Sequence, residues 1–208
     1  PAREAKPLSV IAFGSCIKQD QPMPILDTIA KDQPQVMILT GDNIYGDTTD
    51  MRVLRQKYAK LGANPGFQRL KRRTTFLATW DDHDYGVNDG GADYPHRVES
   101  QAAFHDFWST PVDDARRARR GVYDRVTLGP PGKRLQIILL DTRYFRSPLK
   151  RGERRVGGPY YPDESQDKTM LGPEQWKWLA ETLKQPAEVR VLVTSIQCLA
   201  EAAGQETW

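Results

Sequence analysis

Three short apolar runs, each breaking straight into polar residues, limit most strongly what this chain can fold into. Leu8 to Phe13 runs into Gly14-Ser15-Cys16, Val36-Met37-Ile38-Leu39-Thr40 runs into Gly41-Asp42, and Thr74 to Trp80 runs into Asp81-Asp82-His83-Asp84. Between them, Met23, Ile25, Leu26, Ile29 and Ala30, then Met51, Leu54, Tyr58 and Leu61, recur at helical spacing. Buried strands alternating with amphipathic helices predict βαβ units and a parallel sheet, an α/β fold. Ligands bind beyond the carboxyl ends of such strands. One site fed by three loops is therefore expected.

The pattern continues along the chain. Val98, Ala102, Phe107 and Trp108 suggest a further helix, and Gly121 to Leu128 with Arg134 to Leu140 suggest two strands around Pro130-Pro131-Gly132. The 145–169 segment, rich in Arg, Gly, Pro and Tyr, reads as a long surface loop, a kind that is often functional. Trp176, Leu179, Ala180 and Leu183 predict a helix opened by Gly172-Pro173-Glu174, and helical spacing puts Trp176 and Trp108 in the core. Val189 to Ser195 predicts a last strand. With no repeat or linker, residues 1–208 read as one domain.

A chain of 208 residues, 38% hydrophobic, buries enough surface to fold without staples. Its net charge of +3 is too balanced to imply a polyanionic partner. The basic runs Arg116 to Arg120 and Lys150 to Arg155 read as solvated surface, or as flanks of an anionic substrate. Cys16 and Cys198 have no CxxC spacing, so a zinc knot is not expected; both read as reduced, although a disulfide between them stays open, and Cys198 reads as a packing residue. No stretch is long and apolar enough to span a membrane, and no signal peptide is visible. The chain opens at Pro1 without an initiator Met, which reads as a processed or partial chain.

Chemistry concentrates at the strand ends. Asp42 can bridge two cations with its two oxygens, and Gly41 lets the backbone turn before it. Tyr45 could supply a phenolate, which near neutral pH requires a strongly acidic cation such as ferric iron. Taken alone, Gly41-Asp42-Asn43 reads as a turn. Three carboxylates around His83 would repel one another in a buried loop, so a metal, arginines or protons must offset them. His83 could ligate a metal or act as a general acid. Cys16 could be a small buried residue or a thiolate ligand.

Taken together, Phe13-Gly14-Ser15-Cys16, Gly41-Asp42-Asn43-Ile44-Tyr45-Gly46-Asp47 and Thr79-Trp80-Asp81-Asp82-His83-Asp84-Tyr85-Gly86 resemble the successive motifs of PhoD-like alkaline phosphatases. Leu140-Asp141-Thr142-Arg143-Tyr144-Phe145-Arg146 and Leu171-Gly172-Pro173-Glu174-Gln175-Trp176 resemble that family too. The resemblance implies a metallophosphoesterase-type layered β-sheet sandwich flanked by helices. It implies hydrolysis of phosphate mono- or diesters by metal-bound hydroxide at a two-metal centre of ferric iron and calcium, with a small phosphate ester as substrate and an extracytoplasmic location. Cys16 and Tyr45 would bind iron, and Asp42 would bridge to a second metal held by Asp82, with Asn88 a further ligand of that metal or of the phosphate. His83 would be the catalytic acid. Asn43 and Arg143 would touch or steer substrate, Arg143 equally reading as an ion-pair partner of Asp141 or Asp124. The family completes its site with a Gly-Asp-Val-His segment that does not occur here, so the sequence reads as incomplete at its C-terminus. Rival readings are a metallo-nuclease, a non-catalytic phosphate- or nucleic-acid-binding domain, and an inactive relative that keeps its metal.

Overall fold

The computed structural model describes residues 8–155, 158–200 and 204–208. Strands β1 (Ile11–Gly14) and β2 (Val36–Thr40) enclose helix α1 (Ile25–Lys31). Helices α2 (Met51–Ala63) and α3 (Pro65–Lys71) then lead to β3 (Thr75–Thr79). These strands pair in parallel, in the order β1-β2-β3, as the alternating pattern predicts. Local chemistry sets the helix starts. Asp50 accepts hydrogen bonds from the amides of Arg52 and Val53, and Asn64 caps α3, with Pro65 at its first position.

Short helices α4 (Asp82–Tyr85) and α6 (Ala115–Ala118) flank the longer α5 (Arg97–Phe107). Strands β4 (Asp124–Leu128) and β5 (Leu135–Leu139) form the expected hairpin. Within the 145–169 segment lie β6 (Arg151–Arg155) and β7 (Gly158–Tyr160), an antiparallel pair where the sequence reads as loop alone. Helix α7 (Gly172–Leu183) carries the chain to β8 (Val189–Val193), which pairs in parallel with β5. The fold is thus mixed α/β with two three-stranded sheets and one two-stranded sheet among the described residues. The side chains of Arg154 and Arg155, part of the second basic run, lie outside the described residues.

Central strand β2 alternates its side chains between two cores. Met37 and Leu39 join Leu54, Tyr58, Phe67, Trp80 and Phe104 among the helices. Val36 and Ile38 join Ile137, Leu139 and Val193 of the second sheet. Each such burial is worth about 1.5–3 kcal/mol. β1, expected to be buried, is instead an edge strand with Phe13 77% exposed: among the described residues it pairs only with β2. Trp176 is also not a core residue: α7 buries Gln175, Leu179 and Thr182, and Trp176 turns outward against Trp208. Trp108 packs on the main core as expected. Both cysteines are free and exposed, so Cys198 does no packing.

The first basic run is tied down within the chain. Arg116 pairs with Asp114 and Asp124, Arg117 with Asp106, and Arg120 with Glu174. Near it, His105 is 3% exposed, and its Nδ1 lies 3.1 Å from the Thr110 hydroxyl. Burial, together with Arg117 and Arg116, pushes His105 down to about 4 from 6.5. The folded state therefore keeps this ring neutral while the unfolded chain begins to bind a proton below pH ~6.5. Wild type should lose stability as pH falls from about 6.5 to 4, by at most about 3 kcal/mol from this group. His105→Gln should flatten that window in urea unfolding measured against pH, and an unchanged slope would contradict the assignment.

Candidate metal and catalytic centre

Because β1, β2 and β3 run parallel, Cys16, Asp42 and Asp82 emerge at one end of the sheet. Gly41 makes the turn at φ +115°, and a Cβ there would come within 2.6 Å of that of Asp81. Gly46 allows the loop after β2 to lie against α4, its amide donating to the His83 carbonyl at 2.9 Å. Of the six non-glycine residues at positive φ among the described residues, Cys16, Asp42, Asp47 and Asp89 all belong to these loops. Such backbone costs about 1–3 kcal/mol per residue and persists where the surroundings enforce it.

Five of the expected site residues meet here. The Cys16 thiol lies 3.7 Å from Asp42 Oδ2. Burial pushes the Tyr45 phenol well up, and its contacts with Cys16 and Asp42 add to that. Its ring lies against His83, with centroids 4.3 Å apart. Ligand atoms of Asp42, Asp82 and His83 all fall within 4.8 Å of one another. Asp42 is raised to about 6 by burial and by the neighbouring Asp81 and Asp82 carboxylates. Its Oδ1 is buried with no hydrogen-bond partner among the described residues. A buried, crowded carboxylate with an unpartnered oxygen, beside a thiol, a phenol and an imidazole, fits a cation.

Each acidic residue of the Asp81-Asp82-His83-Asp84 cluster has a distinct partner. Asp84 is fully buried and accepts from the Asp81 amide at 2.6 Å, the Asn43 amide at 3.1 Å and the Asn43 side chain. Asp81 is held by Arg143 and by the Ser195 hydroxyl at 2.9 Å. Asp82 accepts from the Asp89 amide at 2.8 Å and keeps its place beside Asp42. His83 Nδ1 lies 2.5 Å from Asp47 Oδ1. Burial opposes the charged imidazole, but the Asp47, Asp82 and Asp42 carboxylates outweigh it and hold His83 above its ordinary value.

The other three expected residues stand differently. Asn43 is fully buried; its side-chain NH2 donates to the Thr79 carbonyl and to Asp84, which braces the site, and its Oδ1 has no hydrogen-bond partner among the described residues. Asn88 is exposed and donates to Asp89 at 2.8 Å. Arg143 is 1% exposed, and its carboxylate ion pairs are with Asp81 and Glu206, not Asp141 or Asp124; Asp141 receives only its backbone amide. Burial alone would lower Arg143, but Asp81, Glu206 and Asp82 more than offset it, so its charge is committed to the protein.

Three residues escape a reading by motif. Asp47 closes the Gly41–Asp47 motif, and its role as partner of His83 appears only in three dimensions. Asp89 and Glu206 form with Asp82 a second carboxylate group within 4.8 Å. Glu206 is far away in sequence, and Arg143, at 2.7 Å, and Arg146, at 3.0 Å, bring it in.

A family profile described as PhoD-like phosphatase matches residues 11–205. Among solved structures, one titled "Structure of PhoD" is similar at a TM-score of 0.70 with 20% identity, over 96% of this chain. This chain spans 43% of the length of that one. A search of curated proteins returned no match.

Among the described residues, removing Arg143 would leave Asp81 buried with the Ser195 hydroxyl and no cation, and Glu206 with Arg146 alone. Arg143→Ala should lower unfolding stability by about 3–5 kcal/mol. Urea denaturation at neutral pH checks this, and a change below about 1 kcal/mol would place the pair in effectively solvated surroundings.

Proposed function

The chain belongs to the PhoD-like phosphatase family, and from that premise we propose that it acts as a metal-dependent phosphoesterase at the centre built around Asp42. The observation that carries this reading is the convergence of Cys16, Asp42, Tyr45, Asp82 and His83 at the carboxyl end of one parallel sheet. We read the two three-stranded sheets as facing layers of the family's sandwich, since Val36 and Ile38 share a cluster with Ile137, Leu139 and Val193. We also assign its work to the extracytoplasmic side, on the family's habit of export; no described helix is long and apolar enough to cross a membrane.

Thiol, phenol and carboxylate together suit ferric iron, so Cys16, Tyr45 and Asp42 are the residues that would hold it. Asp42 and Asp82 would hold a second, harder cation of the calcium type, with the carboxylates of Asp89 and Glu206 beside them. When bound, such ions polarise phosphoryl oxygens and acidify water. The protein's own residues do the rest. Asp47 accepts from His83 Nδ1, which fixes the ring and leaves Nε2 to hand a proton to the departing alkoxide. Asn43 and Asp84 brace the Asp42 loop against α4, and Arg143 holds Asp81 out of the cluster.

Hydrolysis of p-nitrophenyl phosphate and bis-p-nitrophenyl phosphate tests the proposal. Turnover should vanish on chelation, and His83→Gln should lower kcat by about 10²- to 10⁴-fold. Asp47→Asn should lower kcat less and displace the acidic limb of the pH–rate profile, because it disturbs the ring without removing it. Chelator-resistant turnover, or full kcat in His83→Gln, would overturn the reading.

A further inference from the structure

The 145–169 segment, with the 204–208 segment, walls a cavity of about 450 Å³. Pockets of roughly 300–1,000 Å³ accept small organic ligands. Two of its lining residues also touch the candidate centre. Arg146 reaches the Asp89 carbonyl and lies 3.0 Å from Glu206, and the Tyr160 hydroxyl donates to the Asp89 carboxylate. Asp89 in turn groups with Asp82, the carboxylate beside Asp42 and His83. The cavity therefore borders the proposed site, with the buried Arg146 and Tyr160 side chains forming the wall that the two share.

Part of its wall is aromatic and apolar, beside polar and charged residues. Tyr160, Tyr161 and Trp208 line it together with Leu149 and Met170. The aromatic walls are held in position. Gly152 leaves room for the Tyr161 ring, which a Cβ there would strike, and the Tyr161 hydroxyl donates to the Glu153 carbonyl at 3.1 Å. The Trp208 indole donates to Thr194 at 3.2 Å and meets Trp176 edge-on. Charges of both signs surround the cavity: Arg146, Lys150 and Lys168 lie among Asp163 and Glu164, with Lys168 3.6 Å from Asp163 and Arg146 3.0 Å from Glu206. Ring stacking and shape are what this cavity offers an alcohol group.

We infer that this cavity receives the alcohol half of the phosphate ester and favours an alcohol bearing a flat aromatic ring, of aryl or nucleoside size. The inference rests on the phosphoesterase reading and adds the substrate class to it. It also gives the hairpin β6–β7 a task, since Tyr160 at its end joins cavity to centre.

Binding of two non-hydrolysable probes tests the inference without turnover. Phenylphosphonate and methylphosphonate are titrated against the metal-loaded protein by calorimetry. The phenyl probe should bind roughly five- to tenfold tighter, the scale of an aromatic contact. Tyr161→Ala and, separately, Leu149→Asn should each bring that ratio towards one. Equal affinities in wild type, or a ratio that survives both substitutions, would overturn the cavity assignment. Hydrolysis of phenyl phosphate and glycerol phosphate is measured in parallel. Aryl preference in binding without any hydrolysis contradicts the phosphoesterase reading alone, whereas hydrolysis without aryl preference contradicts the cavity assignment alone.

Discussion

Mutual repulsion among carboxylates governs this structure. Asp42, Asp81, Asp82 and Asp84 crowd the ends of two neighbouring strands, all of them buried or nearly so. Water cannot screen them there, and each needs its own compensation. Asp84 takes backbone and amide hydrogens, and Asp81 takes Arg143. Among the described residues Asp42 and Asp82 have no cationic side chain of comparable closeness: Arg143 is 3.9 Å from Asp82, and the imidazole grouped with them is His83. The unresolved negative charge therefore sits where a cation would have its ligands.

Much of the surrounding architecture serves that arrangement. The parallel order β1-β2-β3 delivers the three loops to one end, and strained backbone at Cys16, Asp42, Asp47 and Asp89 aims their side chains. Arg143 does more than neutralise Asp81. Through Glu206 it draws a distant segment against the centre, and Arg146 grips the same carboxylate. One guanidinium thus joins the loop after β3, the loop after β5 and the 204–208 segment. Packing, electrostatics and the shape of the neighbouring cavity are coupled at that point.

The parallel strands and the polar clusters at their ends, Cys16, Asp42 with Tyr45, and Asp81 to Asp84, were legible in the sequence, because hydrophobic period and strand-end polarity are local signals; the choice of Asp82 within its cluster came from the family resemblance. What was not legible depended on distant partners. Nothing near Arg143 points to Glu206, and the bracing of Asn43, whose NH2 lies between Thr79 and Asp84, has no local signal either. Trp176 has helical spacing with Leu179, yet α7 buries Gln175 and Thr182 because Gln175 bonds the Asp141 backbone at both ends of its amide. Phe13 reads as buried because its run is apolar, and only the pairing order reveals an edge. The hairpin β6–β7 hides in an Arg- and Gly-rich stretch with no alternation to mark it.

On the reading proposed above, a cation and not a proton relieves the charge on Asp42. Elemental analysis of the chain after iron loading and desalting, with a visible spectrum, distinguishes the two when Tyr45→Phe and Asp42→Asn are treated alongside. Stoichiometric iron is expected in the wild type, with a visible band that Tyr45→Phe abolishes and loss of the metal in Asp42→Asn. Wild type that retains no metal, or Asp42→Asn that retains as much as wild type, would contradict that reading.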